Sequence, residues 1–496
     1  MDKKFNNNFW TLLIILSCIA VIIEYAETML FPAIPEIIND FKIDYSTSSW
    51  ILSGYLITAA VMAPIAGKLS DVYGKKKILS IIMSIFIISI LSAGFSTNAS
   101  FLIASRFFQG IGLSMFIISL SILQSEVPKE KYALANGILA SLYFSGSSIG
   151  LIIGGSIIHF TNWKAIFFSL IPILLILYLI MIKFLKIKED KSVFENDYNI
   201  SNLSSSSKRK YFDIKGALAL ALSITFILLD LSYLQIFEGS GSKFTTTSLG
   251  MFLTFFCLSI VSIIAFIKFE KKAMYPLIDL KFILNGKIFP TLIIFFIMGF
   301  TMFMVYQTIP ILVKEPKPVG FGANTLTSSI VLLPFTIIFL LLSPVVSKII
   351  LKFGITKPFI FASIASFIGF LTLFIFHANE LQIGMNLAII SIGLALINTI
   401  GMSIILLLTP KQFGGVVVGI VQVFTFTGMA IGPVISGLFM QIYQVHNINN
   451  LKVESIPSSE AYALIFLTAA LASFIFVIMT FIVKRSIPID ETIAKP

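Results

Sequence analysis

Glu24 and Glu27 stand inside an apolar run that extends from residue 9 to residue 31. Their spacing of three residues places both carboxyl groups on one face of a helix. Two carboxylates on one buried face cannot both ionise cheaply, because desolvation and mutual repulsion each favour the protonated form. At least one of them is therefore expected to hold a proton, which an arriving cation would release. This pair is the predicted proton and substrate site.

Arg106 and Asp230 are two further charged residues within apolar runs, and only three of the 35 basic residues are arginine. A permanent charge inside a bilayer costs several kcal/mol unless it is paired or wetted. We interpret Arg106 as a cavity-facing charge that opposes reprotonation of a neighbouring carboxylate. The alternative is a side chain that extends from the outer end of its helix to the headgroups. Asp230 is the remaining intramembrane carboxylate, and its expected place near a helix end would also let it reach water.

The composition requires that these residues be positioned by membrane-spanning helices. Hydrophobic residues make up 57% of the 496 residues, only 12% are charged, and the mean hydropathy is +0.98. Soluble globular proteins do not reach such values. The sequence contains no phosphate-binding Gly-rich loop, no cluster with metal-ligand spacing and no segment long enough for a soluble catalytic domain. We therefore expect an all-α integral membrane protein that is not an enzyme and uses no cofactor or metal.

Apolar runs of about 20 residues, the length that crosses a bilayer, occur fourteen times in the chain. The net charge of +11 could indicate a nucleic-acid partner, but the lysines sort by membrane side instead of forming a patch. They place both termini in the cytoplasm of a multi-pass protein of the cell membrane, and we expect no nucleic-acid partner. The predicted helices are 9–31, 47–66, 78–95, 100–123, 133–158, 164–185, 213–235, 247–268, 288–312, 324–346, 357–376, 384–408, 416–443 and 460–483.

A polar segment from Gly67 to Lys77 separates the second and third helices. It is predicted to be a tight cytoplasmic turn, held there by its lysines, with glycines that let the chain bend sharply. This segment resembles the loop signature of the major facilitator superfamily, although Val72 stands where that family usually places an arginine. The resemblance implies a conformational switch in which Asp71 latches two helix bundles. The matching positions are Gly67, Leu69, Asp71, Gly74, Lys75 and Lys76.

An internal repeat relates residues 64–74 to residues 344–354, at an offset of 280 residues. It predicts two pseudo-symmetric six-helix bundles and an inserted helix pair. The predicted parts are the first bundle (1–185), a mobile cytosolic linker (186–212), the inserted pair (213–268), a cytosolic loop (269–287), the second bundle (288–484) and a cytosolic tail (485–496).

Gly146, Gly150 and Gly154 form one ridge of a helix, because they are spaced by four residues, and such a ridge permits close helix packing. It resembles the antiporter signature of the superfamily, with Leu151 in place of its proline. Gly428 and Gly432 occupy the matching places in the repeat, followed there by a proline. The ridge can set the direction of transport, or it can be a tight helix contact alone.

Residues 106–110 resemble a signature of the superfamily on its fourth helix. Residues 270–280 are similar to the segment that follows the inserted pair in the fourteen-helix drug:proton antiporters of this superfamily. These antiporters usually carry one acidic residue on helix one, at a register that falls on Ala26 here. Glu27 is one residue from that register and Glu24 is two, so Glu27 ranks first as the proton carrier.

The predicted function is proton-coupled export of lipophilic, cationic drugs or toxic compounds by alternating access. The expected partners are the lipid bilayer, a small-molecule substrate and protons, with a monomeric protein. One alternative is a proton-coupled transporter of a metabolite or organic acid. A membrane sensor that transports nothing is the other alternative, and it would need a folded cytosolic module that the sequence does not offer.

Overall fold

The computed structural model describes residues 2–187, 214–238, 246–273, 286, 288–409, 414–449 and 452–486. Most of the predicted linker, part of the loop 269–287 and most of the tail lie outside the described residues. The helices and strands are α1 (Asp2–Thr28), α2 (Ile34–Phe41), α3 (Tyr45–Tyr73), α4 (Lys75–Gly94), α5 (Ala99–Gly110), α6 (Ser114–Glu126), α7 (Lys129–Phe160), α8 (Ala165–Phe184), α9 (Ile214–Glu238), α10 (Thr246–Lys272), α11 (Phe289–Lys314), α12 (Thr325–Phe353), α13 (Thr356–Ile375), α14 (Glu380–Leu408), α15 (Gly414–Ile442), β1 (Gln444–Asn449), β2 (Lys452–Pro457) and α16 (Ser459–Ser486).

The prediction of an all-α membrane protein is confirmed. Within the described residues, thirteen helical segments are long and apolar enough to cross a membrane. Helix α9 coincides with the predicted seventh span, 213–235, but it is not one of these thirteen. The count of fourteen spans therefore stays a prediction.

The helices run further than their apolar cores, because polar residues continue a helix after it leaves the bilayer. Residues 67–73 belong to the last two turns of α3, so the predicted loop is reduced to a turn at Gly74, whose φ is 97°. That dihedral favours glycine. The end of the molecule that carries this turn and the lysines at 75–77 is called the lysine-rich end below. At the opposite end, α3, α5, α12 and α14 each begin with a side-chain cap, from Asp44, Asn98, Asn324 and Asn379.

Two local features were not predicted. The fourth span is broken by a 3-10 turn at Ile111–Leu113, between α5 and α6. The chain is pressed against its neighbours there: a Cβ on Gly110 would lie 2.0 Å from the Tyr55 carbonyl oxygen. The second feature is an antiparallel hairpin of β1 and β2 between α15 and α16.

Helices α1–α8 are called the first half below, and helices α11–α16 the second half. The main packing partners repeat between the halves: α1 packs on α7, and α11 packs on α15. Between the halves, α3 packs on α15 and α7 packs on α12. The inserted helices α9 and α10 pack on each other, and α9 also contacts α3 and α15. The division into two bundles that move separately stays a prediction.

Candidate functional site

A cavity of about 70 Å³ lies between the halves, midway along the helices. It has room for a few water molecules, and is smaller than the roughly 300–1,000 Å³ of typical small-molecule sites. The halves must therefore separate before a drug-sized ligand can enter. The lining residues are Glu24, Glu27, Thr28, Tyr143, Phe144 and Ser147 from the first half, and Met298, Met302, Tyr306, Phe335, Thr336, Phe339, Asn398, Gln422, Thr425, Phe426 and Met429 from the second.

The structure places both predicted glutamates in this cavity, where Glu24 is 6% exposed and Glu27 is 4% exposed. They are close enough for their charges to interact. The Tyr143 hydroxyl of α7 hydrogen-bonds to the Glu24 carboxyl. Glu24 Oε2 has no hydrogen-bond partner within the described part of the chain. The cavity thus presents an uncompensated carboxylate oxygen, which can take a proton or a cation.

Helix α1 holds these glutamates in place because α7 packs on it through the predicted glycine ridge. A Cβ on Gly146 would lie 2.3 Å from the Val21 carbonyl oxygen and 2.9 Å from Glu24 Cβ. A Cβ on Gly150 would lie 2.2 Å from Thr28 Oγ1. The Thr28 hydroxyl fills that gap with a hydrogen bond to the Ser147 carbonyl, at 3.1 Å. Glycine is therefore needed at both positions for the two backbones to touch.

The second half uses the same device on its own helix pair, α15 and α11. A Cβ on Gly428 would lie 1.9 Å from the Phe296 carbonyl oxygen, and one on Gly432 would lie 2.5 Å from the Phe300 carbonyl oxygen. In the first half, a Cβ on Gly154 would lie 2.8 Å from the Met29 carbonyl oxygen. All five predicted packing glycines thus lie at close helix contacts.

The wall contributed by the second half is apolar and adaptable. Met298, Met302 and Met429 supply flexible, polarisable thioethers. Phe339 meets Phe144 of the first half with their ring centroids 4.5 Å apart. Two amides, Asn398 and Gln422, supply hydrogen-bonding groups without charge. The cavity therefore has an acidic wall and a largely apolar wall, which together suit a lipophilic cation.

Arg106 is fully buried behind the glutamates and is not among the residues that line the cavity. Its guanidinium stacks on the Tyr55 ring, with its central carbon 4.1 Å from the ring centroid. It donates to the Ile51 carbonyl at 3.1 Å and to Gln109 Oε1 at 2.7 Å. The charges of Arg106 and Glu27 are close enough to interact. The guanidinium therefore lies within the first half and does not extend to the headgroups, and its effect on the carboxyl pair stays a prediction.

Asp230, the remaining candidate from the sequence, and two buried amides, Gln307 and Asn386, do not line the cavity. Asp230 is on α9. Gln307 donates to Ser48 Oγ across the halves at 3.1 Å, and Asn386 donates to the Phe376 carbonyl at 2.7 Å. Three tyrosines were missed by the sequence analysis: Tyr55, Tyr143 and Tyr306. A signal existed for Tyr143 alone, because it precedes Gly146 by three residues and shares the face of the ridge.

The residues of the predicted switch surround the Gly74 turn. Lys75 donates to the Ser121 carbonyl at 2.8 Å, which joins the start of α4 to the end of α6. Asp71 is exposed on the last turn of α3, where its charge interacts with that of Lys75. A Cβ on Gly67 would meet Ile117 of α6 at an ordinary 3.9 Å. These contacts organise the first half, and the cross-bundle latch at Asp71 stays a prediction.

At the opposite end, polar contacts join the two halves directly. Glu36 pairs with Lys314 and accepts a hydrogen bond from Thr325 at 2.6 Å. The Tyr45 hydroxyl donates to Glu315 at 2.9 Å. Deeper in the molecule, Ser53 Oγ donates to the Ala430 carbonyl at 2.6 Å. The described conformation is therefore closed at the end opposite to the lysine-rich turn.

A helical membrane protein with a small, chemically two-sided cavity between two sets of helices has the architecture of a solute transporter. The chain belongs to the Major Facilitator Superfamily, whose family model matches residues 16–394 and 291–495.

Curated relatives include transporters of different solutes. The chain is 26% identical over 452 residues to the multidrug transporter protein MdtP of Bacillus subtilis, covering 89% of this chain and 77% of that protein. It is 33% identical over 222 residues to the riboflavin transporter RibZ of Clostridioides difficile, which covers 44% of this chain and 45% of the relative. The methylenomycin A resistance protein of B. subtilis is 25% identical over 317 residues, which cover 63% of this chain and 62% of that protein.

Solved structures show the same fold at low sequence identity. An auto-inhibited peptide transporter of the POT family matches 98% of both chains with a TM-score of 0.61 and 12% identity. The human organic anion transporter MFSD10 matches 95% of this chain and 99% of its own, with a TM-score of 0.60 and 12% identity. Their substrates differ so widely that these likenesses define the fold alone.

Proposed function

We propose that the chain is a secondary transporter that exports lipophilic cations in exchange for protons. The observation that carries this proposal is the buried pair Glu24 and Glu27, which faces a wall of methionine and phenylalanine side chains across a closed cavity. The likeness to MdtP and to the methylenomycin A resistance protein supports a drug as the substrate.

The exchange follows from competition for one negative site. When the cavity is empty, a buried carboxyl pair favours the protonated form, because charge is costly there and the two groups repel each other. A lipophilic cation that enters from the lysine-rich side lowers the cost of ionisation, so a proton leaves as the cation binds. After the opposite end opens, the cation is released and a proton returns. The Arg106 charge near Glu27 opposes that return until the site is wetted.

This proposal includes the arrangement of the protein in the cell. The lysine-rich end and both termini are placed in the cytoplasm, and the opposite end outside the cell membrane. Two six-helix bundles, 1–185 and 288–484, rock about the cavity, and the protein acts as a monomer. The glycine contacts keep each bundle rigid while the polar contacts between Glu36 and Lys314 and between Tyr45 and Glu315 break.

The test uses the full chain in liposomes with an imposed pH gradient, with ethidium as the cationic dye and Nile red as a neutral one. Glu24→Gln and Glu27→Gln are expected to lower proton-driven ethidium transport at least tenfold in one variant, and to flatten its pH dependence. Nile red transport should fall less, because it does not need the negative charge. Asp230→Asn is the matched control, since it removes a carboxylate that does not line the cavity.

The double variant decides the assignment. Both single variants and the double variant must first elute as monodisperse protein, so that loss of fold is separated from loss of coupling. If the double glutamine variant still exchanges protons for ethidium at the parent rate, the glutamates are not the coupling site. Loss of exchange in Asp230→Asn alone would move the site to α9.

The alternative is proton-coupled transport of a metabolite. Asn398 and Gln422 favour it, because neutral amides in the cavity can recognise a polar ring by hydrogen bonds. The likeness to RibZ points to riboflavin as the compound to test. This function would be favoured over drug export if the protein takes up radiolabelled riboflavin saturably and does not transport ethidium. The Gln422→Leu variant should then lose the riboflavin uptake.

A further inference from the structure

A second cavity, of about 440 Å³, lies at the opposite end of the second half, away from the central site. Its walls come from four places in the chain: Leu312 on α11, the segment 317–321 that follows α11, residues 377 and 378 before α14, and the start of α16. It is much larger than the central cavity and is open on one side to the surface. A small molecule can therefore enter it without any separation of the halves.

The loop that forms one wall is built by its own hydrogen bonds. Gly320 N–H donates to the Pro316 carbonyl at 2.9 Å, and Gly322 N–H donates to the Glu315 carbonyl at 2.8 Å. The Phe321 N–H reaches back to the Leu312 carbonyl on the last turns of α11, at 3.3 Å. This wall is a fixed part of the fold, so the cavity keeps its shape.

The ionisable groups of the lining are basic, apart from one phenol. They are Lys317 and His377, and no carboxylate lines the cavity within the described residues. His377 Nδ1 lies 3.1 Å from the Leu373 carbonyl. A carbonyl only accepts, so Nδ1 carries the proton of that bond, and Nε2 donates to an anionic ligand in the imidazolium form, in which both ring nitrogens are donors. The N-terminal end of α16, at Ser459, adds the positive end of a helix dipole.

The phenol is Tyr462, which is 1% exposed and lines the cavity. Its hydroxyl has no hydrogen-bond partner in the described ranges of the chain. Leaving a buried hydroxyl without a partner is unfavourable, so a ligand that accepts its hydrogen bond recovers that cost. The remaining lining is apolar and includes Leu312 and Phe321.

We propose that this cavity binds a small molecule with an anionic group attached to an apolar body, such as an aromatic carboxylate or the head of an anionic lipid. The anionic group lies between Lys317, His377 Nε2 and the Tyr462 hydroxyl, and the apolar body lies against Leu312 and Phe321. This site is distinct from the central cavity, and it selects the opposite charge.

The position of the site gives the ligand an effect on transport. The Tyr462 phenol lies close to the Glu315 carboxylate, and Glu315 accepts the hydrogen bond from Tyr45 that joins the halves. The wall 317–321 also continues directly from Glu315. A ligand in the cavity therefore stabilises the closed arrangement of this end and slows transport, because the contact must break in each cycle.

The test measures binding of three probes with one apolar body by calorimetry on the purified full chain. They are 1-naphthoate, neutral 1-naphthylmethanol and cationic 1-naphthylmethylammonium. Naphthoate is expected to bind at least tenfold more tightly than the other two. Lys317→Gln and Tyr462→Phe should each weaken naphthoate at least threefold, and His377→Gln should weaken it most at acidic pH. Lys42→Gln is the matched control, since it removes an exposed lysine at the same end, on the first half.

The two sources of the ligand are separated by repeating the titration in nanodiscs. If phosphatidylglycerol suppresses naphthoate binding and phosphatidylcholine does not, a lipid headgroup is the natural occupant. Equal binding in both lipids assigns the site to a soluble anion. Equal affinity for the three probes, or naphthoate binding that is unchanged in the Lys317, His377 and Tyr462 variants, would overturn the proposal.

Discussion

The glycine contacts predict that two pairs of equivalent positions respond in opposite ways to one added methyl group. Gly428 and Gly146 are equivalent in the repeat, and so are Gly419 and Gly137, at an offset of 282 residues, two more than for residues 64–74. A Cβ on Gly428 meets the Phe296 carbonyl oxygen at 1.9 Å, whereas one on Gly137 meets nothing within 4 Å. Alanine at the first pair is therefore expected to destabilise the protein, and alanine at the second pair to stabilise it slightly.

The distances set the size of each effect. Real Cβ atoms stay beyond 3.0 Å, so Gly428→Ala must move α15 away from α11 by about 1.1 Å, and Gly146→Ala must move α7 from α1 by about 0.7 Å. Backbone atoms cannot rotate away, so each substitution costs about 1–3 kcal/mol, with Gly428→Ala near the upper limit. At Gly419, where the nearest atom is 4.0 Å away, alanine gains about 0.5–1 kcal/mol from helix propensity.

The assay is the free energy of unfolding of each purified variant in mixed micelles of a mild detergent and sodium dodecyl sulphate. The expected order of stability is Gly137→Ala and Gly419→Ala above the parent, then Gly146→Ala, then Gly428→Ala. A Gly428→Ala protein as stable as the parent would refute the argument that backbone contact requires glycine there. An equal loss in Gly419→Ala would show that glycine is needed for another reason.

Two further predictions concern the ends of the molecule. Lys75→Met removes the hydrogen bond to the Ser121 carbonyl and is expected to lower the free energy of unfolding by about 1–2 kcal/mol in the same assay. Lys77 is exposed, so Lys77→Met should lower it by less than about 0.5 kcal/mol. Equal losses in the two variants would contradict the role of the Lys75 hydrogen bond. Glu36→Gln removes the charge pair with Lys314, so the opposite end should open more often. Spin labels on the loops after α2 and after α11 would then show a larger population at long distance, and an unchanged distance distribution would mean that the pair does not hold this end closed.

The helices could be predicted from the sequence because length and hydropathy are local properties. Each predicted span overlaps an observed helix, and the position of the Gly74 turn follows from the residue itself. The ends of the helices were predicted less accurately, since polar residues such as Asp71 continue α3 beyond its apolar core. The hairpin between α15 and α16 was missed because its pairing depends on two short polar strands with no strong turn signal.

The site could be predicted only in part, because its chemistry depends on which helices meet. The sequence identifies Glu24 and Glu27 as unusual, since charged residues are rare in apolar runs. It does not reveal that Tyr143, 119 positions further along the chain than Glu24, hydrogen-bonds to that carboxyl. Nor does it reveal that Arg106 stacks on Tyr55, so that the guanidinium lies behind the cavity wall and not in it. Both facts depend on helix rotation, which hydropathy does not determine.

The repeat uses one packing device twice but places both carboxylates of the described cavity lining in the first half. In the proposed exchange, this asymmetry is what links proton movement to the movement of the halves. Glu24 and Glu27 belong to α1, and the described cavity wall of the second half carries no carboxylate. A proton can therefore neutralise a carboxylate of the first half without any contact to the second half. A lipophilic cation cannot, because its charge must face the glutamates while its apolar body packs on residues such as Met298 and Phe335. In the proposed exchange, therefore, the cation contacts both halves and the proton contacts one, so the two ligands favour different arrangements of the same cavity.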